Sequence, residues 1–267
     1  MPEDLIADRL EAALAMAREG GAATLRYFQQ DALGIDTKHD GTPVTDADRA
    51  CETIIRERLA ASYPDDGVVG EEFGDAPGST GFRWIIDPID GTFSFIHGVP
   101  LFTTLIGVEH RGDDGTWRGV AGVIHAPAMD ETVYACVGGG AWHAVRGAEP
   151  TRARVSKVRS LAEATVGTTA LDYWDEATTP VWMRLAAAAK HTRGWPDAYA
   201  AILVATGRCD AIVEPSLKCW DVAPFWPIMS EAGGRSTDWH GIETAHSGDV
   251  VASNGAIHDE VLRVIRG

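Results

Sequence analysis

Alternating helix-like and strand-like segments predict an α/β fold built from layers. Apolar residues recur at helical spacing near the N-terminus and again in the C-terminal half. Short apolar runs with turn residues at their ends fill the middle. Neither repeats nor low-complexity tracts interrupt the pattern. Over 5–28, Leu10, Ala13, Leu14 and Ala17 trace one helix face that runs out at Gln29-Gln30. A second amphipathic helix is expected over 49–61, from Ile54, Ile55 and Leu59, with Thr45, Asp46 and Asp48 near its start. Strands are expected at 68–69, 84–86, 103–109, 119–125, 132–137 and 141–144. Asp113-Asp114-Gly115 is a hairpin-type turn between two of them. Helices return over 179–190, 197–207 and 223–232, with short strands at 166–169, 211–213 and 250–252. The stretch 145–158, rich in charge and small residues, marks a border. It divides an N-terminal α+β subdomain (1–150) from a C-terminal α/β subdomain (151–267).

Composition narrows the class. The 267 residues suffice for one large domain or two packed subdomains. No apolar run reaches the length of a membrane span, and Met1-Pro2-Glu3-Asp4 lacks the basic start of a signal peptide. Cys51, Cys136, Cys209 and Cys219 form neither a CxxC pair nor a metal-knuckle spacing, which fits reduced core thiols in a cytoplasmic protein. The nine histidines show no HxH or HExxH pattern, arguing against zinc. A formal net charge of -16 excludes the basic surface that nucleic acid requires. An anionic substrate stays open, because bound cations invert the local sign.

The run Trp84-Ile85-Ile86-Asp87-Pro88-Ile89-Asp90-Gly91-Thr92 concentrates the chemistry. It reads as a buried strand ended by Pro88, followed by an Asp-Gly turn. Asp87 and Asp90 are then held close, where they repel unless a cation or proton lies between them. Oxygen-only ligands of this kind suit Mg²⁺. A solvated surface turn is the plainer alternative. Glu71-Glu72 after Val68-Val69-Gly70, Asp221 after Cys219-Trp220, and Asp46 and Asp48 in Thr45-Asp46-Ala47-Asp48 also border apolar segments. Each has an ordinary explanation: Asp221 or Asp46 as a helix cap, Glu72 as a solvated acid. Four such segments together are better explained by a convergent metal site.

Gly70-Glu71-Glu72, Asp87-Pro88-Ile89-Asp90-Gly91-Thr92 and Trp220-Asp221-Val222-Ala223 resemble, in order and spacing, the motifs of the inositol monophosphatase family. That family comprises Mg²⁺-dependent, Li⁺-sensitive phosphomonoesterases. The resemblance extends from Lys38 through Thr45-Asp46-Ala47-Asp48-Arg49 to Glu231-Ala232-Gly233-Gly234, nearly the whole chain. It implies an alternating α-β-α-β-α sandwich of the inositol monophosphatase / fructose-1,6-bisphosphatase type, with the site between the two halves. Ser94 stands where the family motif has Asn, a departure that touches no metal ligand.

The resemblance also implies roles. Glu71 and Asp87 with the Ile89 carbonyl match one Mg²⁺ site, and Asp87, Asp90 and Asp221 a second. Glu71 with waters matches a weaker third. Thr92 and Asp48 match the positions that orient and deprotonate the nucleophilic water, and Glu72 one that holds metal-bound waters. Gly91 and Thr92 offer backbone N–H groups to phosphate oxygens. Lys38 matches a lysine that approaches the phosphate, although an exposed loop lysine is an equal alternative. Asp46 is expected to cap a helix or support Asp48.

The substrate is read from the C-terminal half. Glu214 resembles the family carboxylate that contacts the non-phosphate part of the substrate. In Arg193-Gly194-Trp195-Pro196-Asp197-Ala198-Tyr199, Asp197 adds an acid where polyol phosphatases usually have Gly followed by a small residue. Two acids disfavour a second phosphate and favour a cation. This arrangement resembles the branch acting on L-histidinol phosphate, whose ammonium and imidazole can pair with Asp197 and Glu214. Arg193 is included in the candidate substrate contacts, and Trp195 or Phe93 can pack on the ring. Asp197 as a mere cap of the helix after it is the alternative. The rivals are an inositol-1-monophosphatase or broad sugar-phosphate phosphatase, a bisphosphate nucleotidase, and a non-catalytic scaffold. A homodimer is implied, with the apolar middle (103–137) as its expected surface.

Overall fold

The computed structural model describes residues 3–30, 34–37 and 43–267. Its elements run α1 (Glu3–Thr24), β1 (Ile35–Thr37), β2 (Pro43–Thr45), α2 (Asp46–Ser62), β3 (Gly67–Gly70), β4 (Gly74–Ala76), β5 (Phe82–Asp90) and α3 (Thr92–Ile96). Next come β6 (Thr103–Arg111), β7 (Trp117–Ala126), β8 (Glu131–Cys136), β9 (Gly140–Val145), β10 (Thr151–Arg152), β11 (Thr165–Thr168), α4 (Thr179–Ala188) and β12 (His191–Gly194). The chain closes with α5 (Asp197–Ala205), β13 (Ala211–Glu214), α6 (Cys219–Val222), α7 (Phe225–Ala232), β14 (Arg235–Thr237), β15 (Val250–Ser253) and α8 (His258–Arg266).

Two larger sheets organise these elements. The first has the order β10-β9-β8-β7-β6-β5-β3-β4, and the second β12-β11-β13-β15-β14. Helices α1 and α2 cover one face of the first sheet, α5 and α7 lie between the sheets, and α4 and α8 cover the far face of the second. The result is the five-layer α-β-α-β-α sandwich. Alternation along the strands feeds it: Ile106 and Val108 point toward α1 and α2, while Leu105 and Ile124 join the central core with α5 and α7. No helix among the described residues is long and apolar enough to cross a membrane.

Strands 103–137, expected above to supply a dimer surface, are covered on both faces by the chain's own helices. Leu105, Ile106, Val123, Ile124 and Val133 are fully buried within one chain, so these side chains are not available to a partner. Cys51, Cys136 and Cys209 are buried, and all four cysteines are free thiols.

Three elements differ from expectation, two of them at the site. Strand β5 does not stop at Pro88. It continues to Asp90, with the pairing to β6 shifted between Asp87 and Asp90. Pro88 lacks the N–H for a regular ladder, and its carbonyl instead accepts from the Thr104 hydroxyl (2.9 Å) and the Cys51 thiol (3.5 Å). The helix expected over 223–232 starts at Phe225, and a separate short helix, α6, precedes it across Ala223-Pro224 and contains Asp221. Helix α8, absent from the expectations, carries buried Val261, Leu262 and Ile265.

A glycine trough brings the halves together. Gly107 pairs with Ile85 on one side and Gly122 on the other. A Cβ on Gly107 would lie 2.5 Å from the Ala223 Cβ, and one on Gly122 would lie 2.7 Å from the Pro224 Cα. The α6–α7 junction therefore sits directly on the first sheet, and Asp221, two residues before Ala223, is delivered to the end of β5.

Candidate active site

Carboxylates converge at the end of β5. One oxygen from each of Asp87, Asp90 and Asp221 falls within 4.8 Å of the others. Glu71, at the end of β3, joins them; its N–H donates to the Ile86 carbonyl (3.2 Å), and its charge acts directly on Asp87. Burial first, then Glu71, Asp90 and Asp221, push the Asp87 carboxyl well above the usual carboxylate range. Asp90 is raised for the same reason, with Asp197 and Asp221 as its charged neighbours. Burial pushes Asp221 up to about 7, against the Lys218 N–H that it accepts at 2.7 Å.

This donor set fits a hard divalent cation. Asp87 Oδ1 is buried without a hydrogen-bond donor, while carboxylates crowd around it. A buried acceptor in that position calls for a proton or a metal ion, and all-oxygen ligation suits Mg²⁺-type ions.

Asp90 is held by two donors, the Thr103 hydroxyl (2.9 Å) and the Ala198 N–H (2.7 Å) at the start of α5. The Thr92 hydroxyl lies 3.0 Å from the Ile89 carbonyl and 3.5 Å from Asp48 Oδ1. Asp48 is fully buried behind it. Its other oxygen accepts from the Thr45 N–H (2.8 Å) and hydroxyl (2.6 Å), which fixes Oδ1 toward Thr92. Burial pushes Asp48 up to about 7, outweighing those two bonds, with Glu72 and Glu71 adding to the rise.

The same bonds make Thr45 the N-cap of α2 and Asp48 its capping-box partner. Asp46, expected to cap or support Asp48, instead points outward and reaches Arg49 at 3.5 Å.

Glu52 was not singled out in the sequence. It is fully buried and accepts from the Glu72 N–H (2.8 Å), the Phe73 N–H (3.3 Å) and Arg56 Nε (2.7 Å). It therefore anchors the loop that carries Glu71 and Glu72. Its signal was present: Asp48, Glu52, Ile55 and Leu59 share one helical stripe, so two acids interrupt an apolar face.

A cavity of about 710 Å³ opens from the carboxylates toward the second sheet. Glu71, Asp87, Ile89, Asp90, Gly91 and Thr92 line one end, and Thr169, Tyr173, Asp197 and Glu214 lie on its C-terminal wall. Glu214 is buried and accepts from the Thr168 hydroxyl (3.0 Å), the Thr169 N–H (2.6 Å) and the Thr169 hydroxyl (3.0 Å). Burial pushes it up to about 8 even so.

Asp197 has φ 50, a left-handed conformation uncommon outside Gly, Asn and Asp. Its N–H donates to the Thr169 hydroxyl (2.8 Å). Pro196 occupies the cap position of α5 and makes no side-chain cap bond. The Asp197 carboxylate faces Gly91, where a Cβ would come within 2.7 Å of its oxygen. Burial pushes this carboxyl up to about 6.

Two candidate contacts are placed differently, and a third is not placed. Arg193 lies exposed on β12, its guanidinium on the Thr192 carbonyl (2.7 Å), and does not line the cavity. Trp195 packs against the central core. Lys38 lies outside the described residues. Tyr173 and Thr169 line the cavity without having been singled out; both follow the end of β11, a position visible only once the sheet order is known.

Known proteins resemble this chain along its length. The chain is 41% identical over 264 residues to histidinol-phosphatase of Mycobacterium tuberculosis, covering 96% of each protein. It is 38% identical over 271 residues to histidinol-phosphatase of Streptomyces coelicolor, covering 98% of this chain and 97% of that one. The structure of an IMPase from Thermotoga maritima matches with a TM-score of 0.82 at 33% identity, over 97% of each chain. The profile of the inositol monophosphatase family spans residues 6–266. With five layers, clustered carboxylates and this likeness along its length, the chain belongs to the inositol monophosphatase family.

Proposed function

We propose that the protein is a Mg²⁺-dependent phosphomonoesterase that hydrolyses L-histidinol phosphate to L-histidinol and phosphate, a step of histidine biosynthesis. The observation that carries the substrate is the acid pair Asp197 and Glu214 on the wall of the cavity, with Asp197 next to the Asp87–Asp90–Asp221 cluster. The 38–41% likeness to histidinol-phosphatases supports it.

Glu71, Asp87, the Ile89 carbonyl, Asp90 and Asp221 would hold two or three Mg²⁺ ions. When bound, Mg²⁺ supplies an acidified water and neutralises charge on the phosphate. The chain's own groups do the rest. Thr92 accepts a hydrogen bond from the attacking water and passes its proton to Asp48 Oδ1, whose raised pKa suits a base working near neutrality. Glu72, held through its backbone N–H by Glu52, would hold metal-bound waters. The N–H groups of Gly91 and Thr92, at the start of α3, would donate to the phosphate oxygens. Asp197 and Glu214 receive the ammonium and imidazole; a cation there favours their ionised forms over the protonated ones that burial promotes. The protein acts as a homodimer.

Phosphate release with Mg²⁺ from L-histidinol phosphate, myo-inositol 1-phosphate, fructose 1,6-bisphosphate and adenosine 3′,5′-bisphosphate tests this. A kcat/KM preference for histidinol phosphate that is lost in Asp197→Ala or Glu214→Ala is expected. A preference for inositol phosphate refutes the substrate and leaves the hydrolysis standing. A fully active Asp90→Asn protein refutes the ligand assignment, and sedimentation as a monomer refutes the dimer.

A further inference from the structure

Two aromatic side chains stand exposed where burial would be expected. Phe93 is 65% exposed and Tyr173 47% exposed, and both line the same cavity. A scattered exposed aromatic needs no explanation, but two converging on one acidic cavity do.

The Phe93 ring is braced from behind, and Tyr173 is anchored through its neighbour in the chain. Phe93 lies on the first turn of α3 and packs on His97, ring centroids 4.3 Å apart, while His97 Nδ1 is 2.8 Å from the Phe93 carbonyl. Tyr173 ends a short 3₁₀ turn, Leu171–Tyr173, and the next residue is a rigid anchor. Trp174 packs against Trp182 (5.3 Å) and Trp239 (5.7 Å), and its Nε1 donates to the Thr168 hydroxyl (2.9 Å), itself a donor to Glu214. The position of the Tyr173 backbone is thus tied to the carboxylate beside it. Burial, then Asp197, push the Tyr173 phenol up to about 12, so it stays a neutral ring and a hydrogen-bond donor.

We infer that Phe93 and Tyr173 form a preorganised aromatic bracket for the cationic, ring-bearing part of the substrate, adding π contacts to the charge pairing of Asp197 and Glu214. The acids fix the sign of the group accepted, and the ring faces select a flat or cationic group over a neutral polyol. This inference rests on the substrate reading above.

The test compares wild type, Phe93→Leu, Tyr173→Leu and Tyr173→Phe with Mg²⁺ present. Leucine keeps apolar bulk and removes the π face; phenylalanine keeps the face and removes the hydroxyl. The readout is the ratio of kcat/KM for L-histidinol phosphate to that for glycerol 2-phosphate. Calorimetric titration with L-histidinol provides a second readout without turnover. A fall of about tenfold in the ratio and in L-histidinol affinity is expected in each leucine variant, the scale of a partly desolvated cation–π contact. Tyr173→Phe is expected to keep most of the ratio. An unchanged ratio in both leucine variants, or a parallel loss on both substrates, overturns the bracket. A wild-type enzyme without a preference for histidinol phosphate refutes the substrate reading instead. The bracket then stands or falls on the L-histidinol titration alone: weaker binding in the leucine variants upholds it, and unchanged binding overturns it.

Discussion

Asp221→Asn is expected to make the metal-free protein more stable while removing its stabilisation by Mg²⁺. The oxygens of Asp87, Asp90 and Asp221 lie within 4.8 Å of one another. At an effective dielectric of about 20, each such pair of full charges repels by about 3 kcal/mol. Without a cation the cluster lowers this cost by keeping protons, and burial with neighbouring charge raises Asp221 to about 7 from an ordinary 3.8. The sign follows from proton binding. The folded chain holds the proton more tightly than the unfolded chain, so stability falls as pH rises from about 4 to about 7, and the full cost is present above that. At pH 8 it amounts to about 4 kcal/mol. Asparagine is neutral and its oxygen still accepts from the Lys218 N–H, so the variant escapes the cost without losing the bond. For a chain of this size the gain is roughly 10 °C in Tm. At pH 5 it shrinks to below about 2 kcal/mol, because the wild-type carboxyl is protonated there. Scanning calorimetry at pH 5 and pH 8, with chelator and with millimolar Mg²⁺, reads all four conditions. Mg²⁺ should stabilise the wild type by about 3 kcal/mol at a hundredfold excess over Kd, and the variant much less. A metal-free variant less stable than wild type at pH 8, or equal Mg²⁺ stabilisation of both, refutes the reasoning.

Thr92→Val removes the hydroxyl between the Ile89 carbonyl and Asp48, and kcat should fall by roughly 10²–10⁴ with Tm little changed; an unchanged kcat would contradict the proton route. Glu131 is buried among His143 (2.7 Å), Arg208 and Tyr199 (3.1 Å). Those bonds and charges lower its carboxyl to about 2 despite its burial. Its stabilisation is present above about pH 4.5 and lost as pH falls toward 2, so Glu131→Gln should cost about 3 kcal/mol at pH 7 and little at pH 2 in urea unfolding. Gly122→Ala would place a Cβ 2.7 Å from the Pro224 Cα. The forced shift of the α6–α7 junction should cost about 1–3 kcal/mol and weaken Mg²⁺ stabilisation by displacing Asp221. Loss of stability with Mg²⁺ affinity intact would mean that the trough does not position that ligand.

Local chemistry made some of this legible in advance. Apolar periodicity set α1, α2 and the central strands to within a few residues, because those segments each bury a face with its own period. The acids at the ends of apolar segments marked the site for the same reason: a carboxylate at a strand end has a fixed direction. Short edge strands such as β4, β10 and β12 escaped notice, since a few partly exposed residues carry no periodic signal. Helix α8 has a local signal of its own in Val261, Leu262 and Ile265, spaced for one helix face.

The sequence by itself determined which residues could ligate a cation and which half of the chain carries each. Only the tertiary structure decided how they meet. The pairing shift after Asp87 keeps β5 running to Asp90, where Thr103 and Ala198 can reach it. The Gly107–Gly122 trough lets Ala223 and Pro224 sink onto the sheet. The left-handed backbone of Asp197 places a carboxylate beside Gly91 rather than on the helix cap. Each of these is a close approach between segments distant in sequence, fixed by packing and backbone sterics, and no local pattern encodes such a distance.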